Sequence, residues 1–442
     1  MYCQGVPRGT LLSYCVGVST PPPIAEISVR HWLVVIGAGL LMSLNVLVFL
    51  AAGMLLPPLA TSLGVGLGQV MVFVSINMVA GALVLTVAGP FLIRRFGSRW
   101  LSLLGGLVTG ASIFAVSLVT ELWQLYLLAF ASGVLATVGL QMTGAALVND
   151  WFLARRGLMQ GVLMGVASLG GIAAGAVLPA VVAAGGWRFG FQAVGASALL
   201  VTLVSSLLMI RTAPADVGRH VYGTHDITTE AHKDDAGLAS ADAVRTPQFV
   251  ALIVGLTCYS GIMALQQHFP SMMADRGLDL AAAGMLLSLL AVANVFTTLL
   301  LGTISDRFGP LLAYGLACVL LLFALSMLLL TTGFGPQATA VLVFSIPAIA
   351  GPILTPILLR HTFGGRAFVP LLGVTTATMP AGIAIASPLW GLSKDAAGSY
   401  DPALVTSLVL VVVIAALVGF ALVTGPRRWR PVGAGRRAGS AV

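Results

Sequence analysis

Twelve apolar runs, each close to twenty residues long and nearly free of charge, constrain this chain more than any other feature of its sequence. Hydrocarbon offers the backbone no hydrogen-bond partner, so a chain crossing it must satisfy its own peptide groups as helices or as a closed barrel. Runs of about 20 residues specify helices. The period-two alternation of a barrel is absent. The runs fall near 32–56, 69–93, 99–119, 122–149, 157–184 and 189–211, and again near 247–272, 280–303, 310–332, 337–359, 367–391 and 403–425. Composition agrees, since only 8% of the residues are charged and 58% are hydrophobic, whereas a soluble domain carries roughly a quarter charged residues. The expected fold is all-α and integral to the membrane, with twelve transmembrane helices in two pseudo-symmetric six-helix bundles.

One long polar stretch divides the runs six from six. The expected organisation is a disordered cytoplasmic leader over 1–31, a first bundle over 32–211, a cytoplasmic linker over 212–246, a second bundle over 247–425 and a basic cytoplasmic tail over 426–442. The leader lacks the apolar core of a signal peptide and contains Pro21, Pro22 and Pro23. Net charge of +8 invites a nucleic-acid reading, but the placement of the charges answers it. With the N-terminus inside, Arg188, Arg276 and Lys394 are the only three of the 22 basic residues that fall outside, which is the ordinary bias toward cytoplasmic loops. Both termini are therefore expected in the cytoplasm, in a cell (inner or plasma) membrane, with lipid rather than nucleic acid as the surrounding partner. Cys258 and Cys318 sit inside spans and Cys3 and Cys15 in the leader, so neither a disulfide framework nor a metal site is expected.

The loop after the eighth run carries Gly302, Asp306, Arg307 and Gly309 in the order G-x-x-x-D-R-x-G. It resembles the loop signature of the major facilitator superfamily. The matching loop after the second run holds Pro90, Arg94, Arg95 and Gly97, so Arg94 stands where the aspartate belongs. By resemblance this pair of loops latches the outward-facing state, and the first-half latch is expected to be weakened or built differently. Further phrases are similar to the monocarboxylate-porter and oxalate/formate-antiporter branch. They are Trp32, Val34, Gly37 and Ala38 opening the first run, Trp151, Phe152, Arg155, Arg156 and Gly157 between the fourth and fifth, and Asp395, Gly398 and Tyr400 after the eleventh. The glycines at 157, 161, 165, 171 and 175 give the fifth run a small-residue face for close packing.

A charge at membrane depth is costly, so an ionisable residue inside a run marks a site by default. Here the acids sit in loops or at run ends, and the polar set inside is Asn45, Asn77, Gln141, Gln266, Gln267, His268 and Asn294. The resemblance implies that the first, fourth, seventh and tenth helices line a central path. Asn45, Gln141, Gln267, His268 and Asn294 are accordingly the candidate substrate contacts, with hydrogen bonding between helices as the alternative role. His268 is the one group in the runs whose ordinary pKa, about 6.5, lies near neutrality, which makes it the candidate for proton coupling. Monocarboxylate carriers typically place an Asp and an Arg on the eighth helix where this chain has Asn294 and Thr298, and the lysine that mammalian members carry on the first helix is missing.

The implied activity is alternating-access secondary transport of a small organic solute by a monomer, with protons as a coupling partner. A mono- or weakly charged carboxylate comes first, and a neutral or aromatic metabolite, taken up or expelled, stands beside it. A nucleotide-driven pump would need a phosphate-cradling G-K-S/T loop, and neither Lys233 nor Lys394 follows a glycine. No H-E-x-x-H and no G-x-S-x-G occurs, so no catalytic residue and no cofactor is expected. A non-transporting sensor on the same scaffold remains the other class.

Overall fold

The computed structural model describes residues 28–152, 156–212, 222, 238 and 240–425. Most of the expected leader, most of the linker and the basic tail lie outside the described residues. Twelve helices are long and apolar enough to cross a membrane. In the first half they are α1 Val29–Leu63, α2 Leu67–Leu85, α3 Arg95–Val116, α4 Leu122–Val148, α5 Leu158–Ala176 and α6 Leu178–Met209. In the second half they are α7 Pro247–Asp275, α8 Leu280–Ser305, α9 Pro310–Leu330, α10 Phe334–Phe363, α11 Pro370–Ala397 and α12 Asp401–Thr424.

Local chemistry sets the edges. Helix α1 runs through Pro57 and Pro58 and stops only where Gly64 turns left-handed, at φ 66°. Within α6, Gly186 takes φ 75° and ψ −177°, so residues 178–185 continue the line of the fifth span and the sixth crossing begins at Trp187. That restores the expected fifth run, which reached residue 184.

The end of the molecule that carries Val29, Trp151, Arg211 and Phe363 is termed the linker end, and the opposite end the distal end. At the distal end the halves press together along three crossings. Helix α2 lies on α11, where a Cβ on Gly391 would come within 2.7 Å of the Gly68 Cα. Helix α5 lies on α8 through Gly175 and Gly284, and α1 meets α7 where Gly53 sits against the Gln267 carbonyl. One apolar core runs through this contact, from Leu55, Leu59 and Met71 to Met263, Phe269 and Tyr400. At the linker end the first half has a separate core of its own, built on Val35, Leu41, Leu147, Trp151 and Phe152.

Within the linker, Tyr222 and Leu238 are held by different halves. The Tyr222 N–H donates to the Trp151 carbonyl at 3.0 Å, and the Leu238 N–H to the Phe363 carbonyl at 3.0 Å. Gly97 and Gly309 occupy matching places in the two short loops, with φ 73°, ψ 155° and φ 85°, ψ 164°. The loop backbone is thus preserved in both halves although Arg94 replaces an aspartate, because the tight turn depends on the positive φ of a glycine.

Candidate functional site

The candidate residues divide into a sealed cluster at the distal contact and a set of loosely engaged amides. The sealed cluster is made by a defect in α7. Pro270 has no N–H to offer the Gln266 carbonyl, so the helix tightens into a 3-10 turn over Ala264–His268, and the Phe269 N–H donates to Gln266 instead. That turn aims two successive polar side chains at α11. Gln267 Oε1 accepts from Ser387 Oγ at 3.0 Å, and His268 Nε2 lies 3.1 Å from the Ser387 carbonyl. The His268 Nδ1 lies 3.1 Å from the Tyr400 hydroxyl, and the two rings stand 5.4 Å apart.

A carbonyl can only accept, so Nε2 carries the proton, and a neutral His268 then accepts from Tyr400 at Nδ1. Burial holds the Tyr400 phenol above its ordinary value even though Ser271 bonds to it, which keeps it a neutral donor. Gln267 and His268 are both buried, at 1% and 0% exposure. Ser387 Oγ also stands 3.8 Å from Met71 Sδ of α2, and the Ser75 hydroxyl donates to the Ala384 carbonyl. His268 is therefore part of the wall that closes the distal side.

The other candidates lie elsewhere. Gln141 sits in a π-turn, Thr137–Met142 of α4. Its side chain is exposed. Asn45 is half-buried on α1, three residues beyond Met42, which packs on Gly144 of α4. Asn294 is half-buried on the side of α8 opposite its exposed stripe of Met285, Val292, Phe296 and Leu300. Its Oδ1 is buried and has no partner. Among the described residues no hydrogen bond reaches the Asn45 or Gln141 side chains or joins them to the distal cluster. Asn77, by contrast, donates to Ser132 Oγ at 2.8 Å and to the Ala129 carbonyl at 3.3 Å, a bond between α2 and α4.

The expected small-residue face of the fifth span serves two purposes. Gly171 and Gly175 pack against α8, whereas Gly161 and Gly165, nearer the linker end, have open space where a Cβ would stand. In the loops, Arg95 and Arg307 are exposed, and the side chains of Arg94 and Asp306 lie outside the described residues, as does the burial of Gly302. A cleft of about 580 Å³ lies at the distal end between Pro179, Ala183, Asp279 and Met285. Sequence reading missed Ser387 as the partner of both Gln267 and His268, because a serine in an apolar run carries no signal of the helix it will face.

Twelve helices able to cross a membrane, six on each side of the polar stretch and packed half against half at the distal end, define a multi-pass membrane transporter scaffold. The family model of the Major Facilitator Superfamily matches residues 38–359, and the chain belongs to that family. It is 25% identical over 292 residues to the MFS-type transporter pytF of Aspergillus terreus, covering 63% of this chain and 90% of that one. Against the uncharacterized MFS-type transporter YhjX of Escherichia coli it is 25% identical over 291 residues, or 63% and 67% of the two chains. The agnestins efflux protein AgnL12 of Paecilomyces divaricatus is 26% identical over 226 residues, 51% of this chain and 48% of its own. Among solved structures, a bacterial homolog of the human lysosomal transporter Spinster superposes with TM-score 0.73 at 15% identity, covering 91% and 99% of the chains. The nucleoside transporter NupG superposes with TM-score 0.69 at 12% identity, over 89% and 99%.

Proposed function

We propose that this protein is a secondary transporter that carries a small organic solute of low net charge by alternating access, the halves 32–211 and 247–425 rocking about the path between them. The observation that carries the reading is the set of amides with unmet hydrogen-bonding capacity, Asn45, Gln141 and the buried Asn294 Oδ1, on helices without a buried Lys or Arg among the described residues. A solute that bears hydroxyl, carbonyl or weakly acidic groups satisfies such amides, whereas a strongly anionic one would need the Asp and Arg that Asn294 and Thr298 replace. A monocarboxylate-porter-like lineage fits the phrases around Trp32, Phe152 and Asp395. The low charge of the path favours a weak acid or neutral metabolite within it. The carrier works as a monomer and makes no covalent change to its solute.

In this reading the linker end faces the cytoplasm, as the arginines predict, and the conformation described is closed to the outside. Proton coupling enters at His268, which gains access to water when α7 and α11 part. Protonation at Nδ1 then requires the Tyr400 hydroxyl to reverse its bond, which ties the proton to the distal opening.

The test is reconstitution into liposomes, after a thermal-shift screen of the purified protein against weak aromatic acids, lactones and neutral metabolites. Saturable counterflow of a stabilising solute is the expected result, and no counterflow of any stabilising solute overturns the reading. His268→Gln should abolish proton-driven accumulation and preserve exchange, and unchanged accumulation removes His268 from coupling.

A further inference from the structure

We infer that Asp395 is the latch that holds the distal side shut, a carboxylate from the second half serving as the helix cap of the first half's α2. Its Oδ1 accepts the Leu67 N–H at 2.9 Å and its Oδ2 accepts the Gly68 N–H at 2.8 Å. These are two of the N–H groups that the start of a helix leaves without an internal partner.

Three observations make this a built contact. First, α2 has no cap of its own, since its N-cap residue, Gly66, has no side chain to bond with. The pseudo-equivalent helix α8 is capped by its own Asp279, which accepts from the Ala282 N–H at 2.7 Å. Second, a Cβ on Gly66 would come within 2.6 Å of Asp395 Oδ2, so the glycine leaves the room that the carboxylate occupies. Third, Asp395 stands in the last turn of α11, where the helix dipole disfavours a negative charge. The start of α2 is where that charge is favoured.

The neighbouring residue shows the division of labour. Lys394 reaches Asp275 of its own half at 2.6 Å and the Gly398 carbonyl at 2.7 Å, and Arg276 pairs with Asp401 at 2.7 Å. These bonds tie the distal ends of α7, α11 and α12 into one plate. Asp395 is the charged member of that plate that crosses to the other half. When the distal side opens, α2 loses its cap and Asp395 is left beside the negative end of its own helix, so both terms favour the closed state. Among the described residues the α5–α8 crossing has no such charge, and the hold is one-sided.

The experiment reads distal opening directly. In a background with Cys3, Cys15, Cys258 and Cys318 replaced by Ala, Met71→Cys is introduced as a reporter, because Met71 is fully buried in the seal. Its labelling by a membrane-impermeant maleimide is followed in liposomes. Asp395→Asn keeps the shape and removes the charge, and it should raise the labelling rate about two- to fivefold, the effect of an exposed charge at a helix start. Gly66→Ala, which leaves Asp395 in place but fills its seat, should raise it in the same direction. Asp401→Asn, which breaks a contact within one half, should label at the parent rate. Parent-rate labelling of Asp395→Asn overturns the latch, and so does an equal rise in Asp401→Asn. The inference rests on the alternating-access reading, and the two fail separately. If the parent shows counterflow but Asp395→Asn labels at the parent rate, the latch alone falls. If the parent moves no solute yet Asp395→Asn and Gly66→Ala both open the seal, the carrier reading alone falls.

Discussion

At the scale of single residues, the distal seal depends on groups whose hydrogen-bonding capacity is filled. His268 spends one ring nitrogen on Ser387 and the other on Tyr400. Tyr400→Phe should lower stability by about 1 kcal/mol, the ordinary net worth of a buried hydrogen bond. The comparison to make is thermal unfolding in detergent beside the parent, and an unchanged midpoint would count against the assignment. The same phenol predicts a pH dependence. Its pKa is raised from 10.0 by burial, so the folded state holds the proton more tightly than the unfolded chain does. That stability is fully present below pH 10 and is lost as the pH rises above it. The Tyr400→Phe protein should show a shallower loss in alkaline buffer. Asn294 behaves in the opposite way, because its Oδ1 has no partner to lose. Asn294→Leu should leave the unfolding midpoint within about 0.5 kcal/mol of the parent while raising the KM for counterflow. A KM equal to the parent's would remove Asn294 from the path.

At the scale of elements, small residues decide which helices touch. Gly175 lies against the Gly284 carbonyl of α8, whereas Gly165, ten residues earlier on the same span, has nothing within 4 Å of a Cβ position. Gly175→Ala should therefore cost about 1–3 kcal/mol through overpacking, and Gly165→Ala about 0.5 kcal/mol or less. Guanidinium or heat unfolding of the pair in one detergent checks the contrast. Equal costs would mean that α5 and α8 do not meet as described. The existence of this helix and of its small-residue face was legible from the sequence, because apolar length and glycine spacing are local properties. Which glycines find a partner was not legible, since Gly171 and Gly175 meet residues more than a hundred positions away. The 3-10 turn of α7 lies between these cases. Pro270 announces a missing N–H, but only the packing of α11 shows that the tightened turn delivers Gln267 and His268 to Ser387.

At the scale of the whole molecule, contact between the halves is concentrated at the distal end, and the linker end of the first half keeps its own core. Gln141→Cys should therefore react with a thiol reagent offered from the linker side, and Ser387→Cys should be protected from it. Reaction at Ser387 and protection at Gln141 would reverse the conformation described. By itself the sequence determined that the chain lives in lipid, that it spans as helices and that it does so six and six. Those properties follow from the cost of an unpaired peptide group in hydrocarbon, a cost paid residue by residue along each run. Only the tertiary structure decided that His268 belongs to the seal, that Asp395 caps a helix of the opposite half and that Gln141, Asn45 and Asn294 keep free valence. Each of these depends on which helix stands beside which, and lipid is as apolar as the helix faces it competes with. Hydropathy therefore carries no record of helix partners, and the choice falls to shape and to a few hydrogen bonds formed across hundreds of residues.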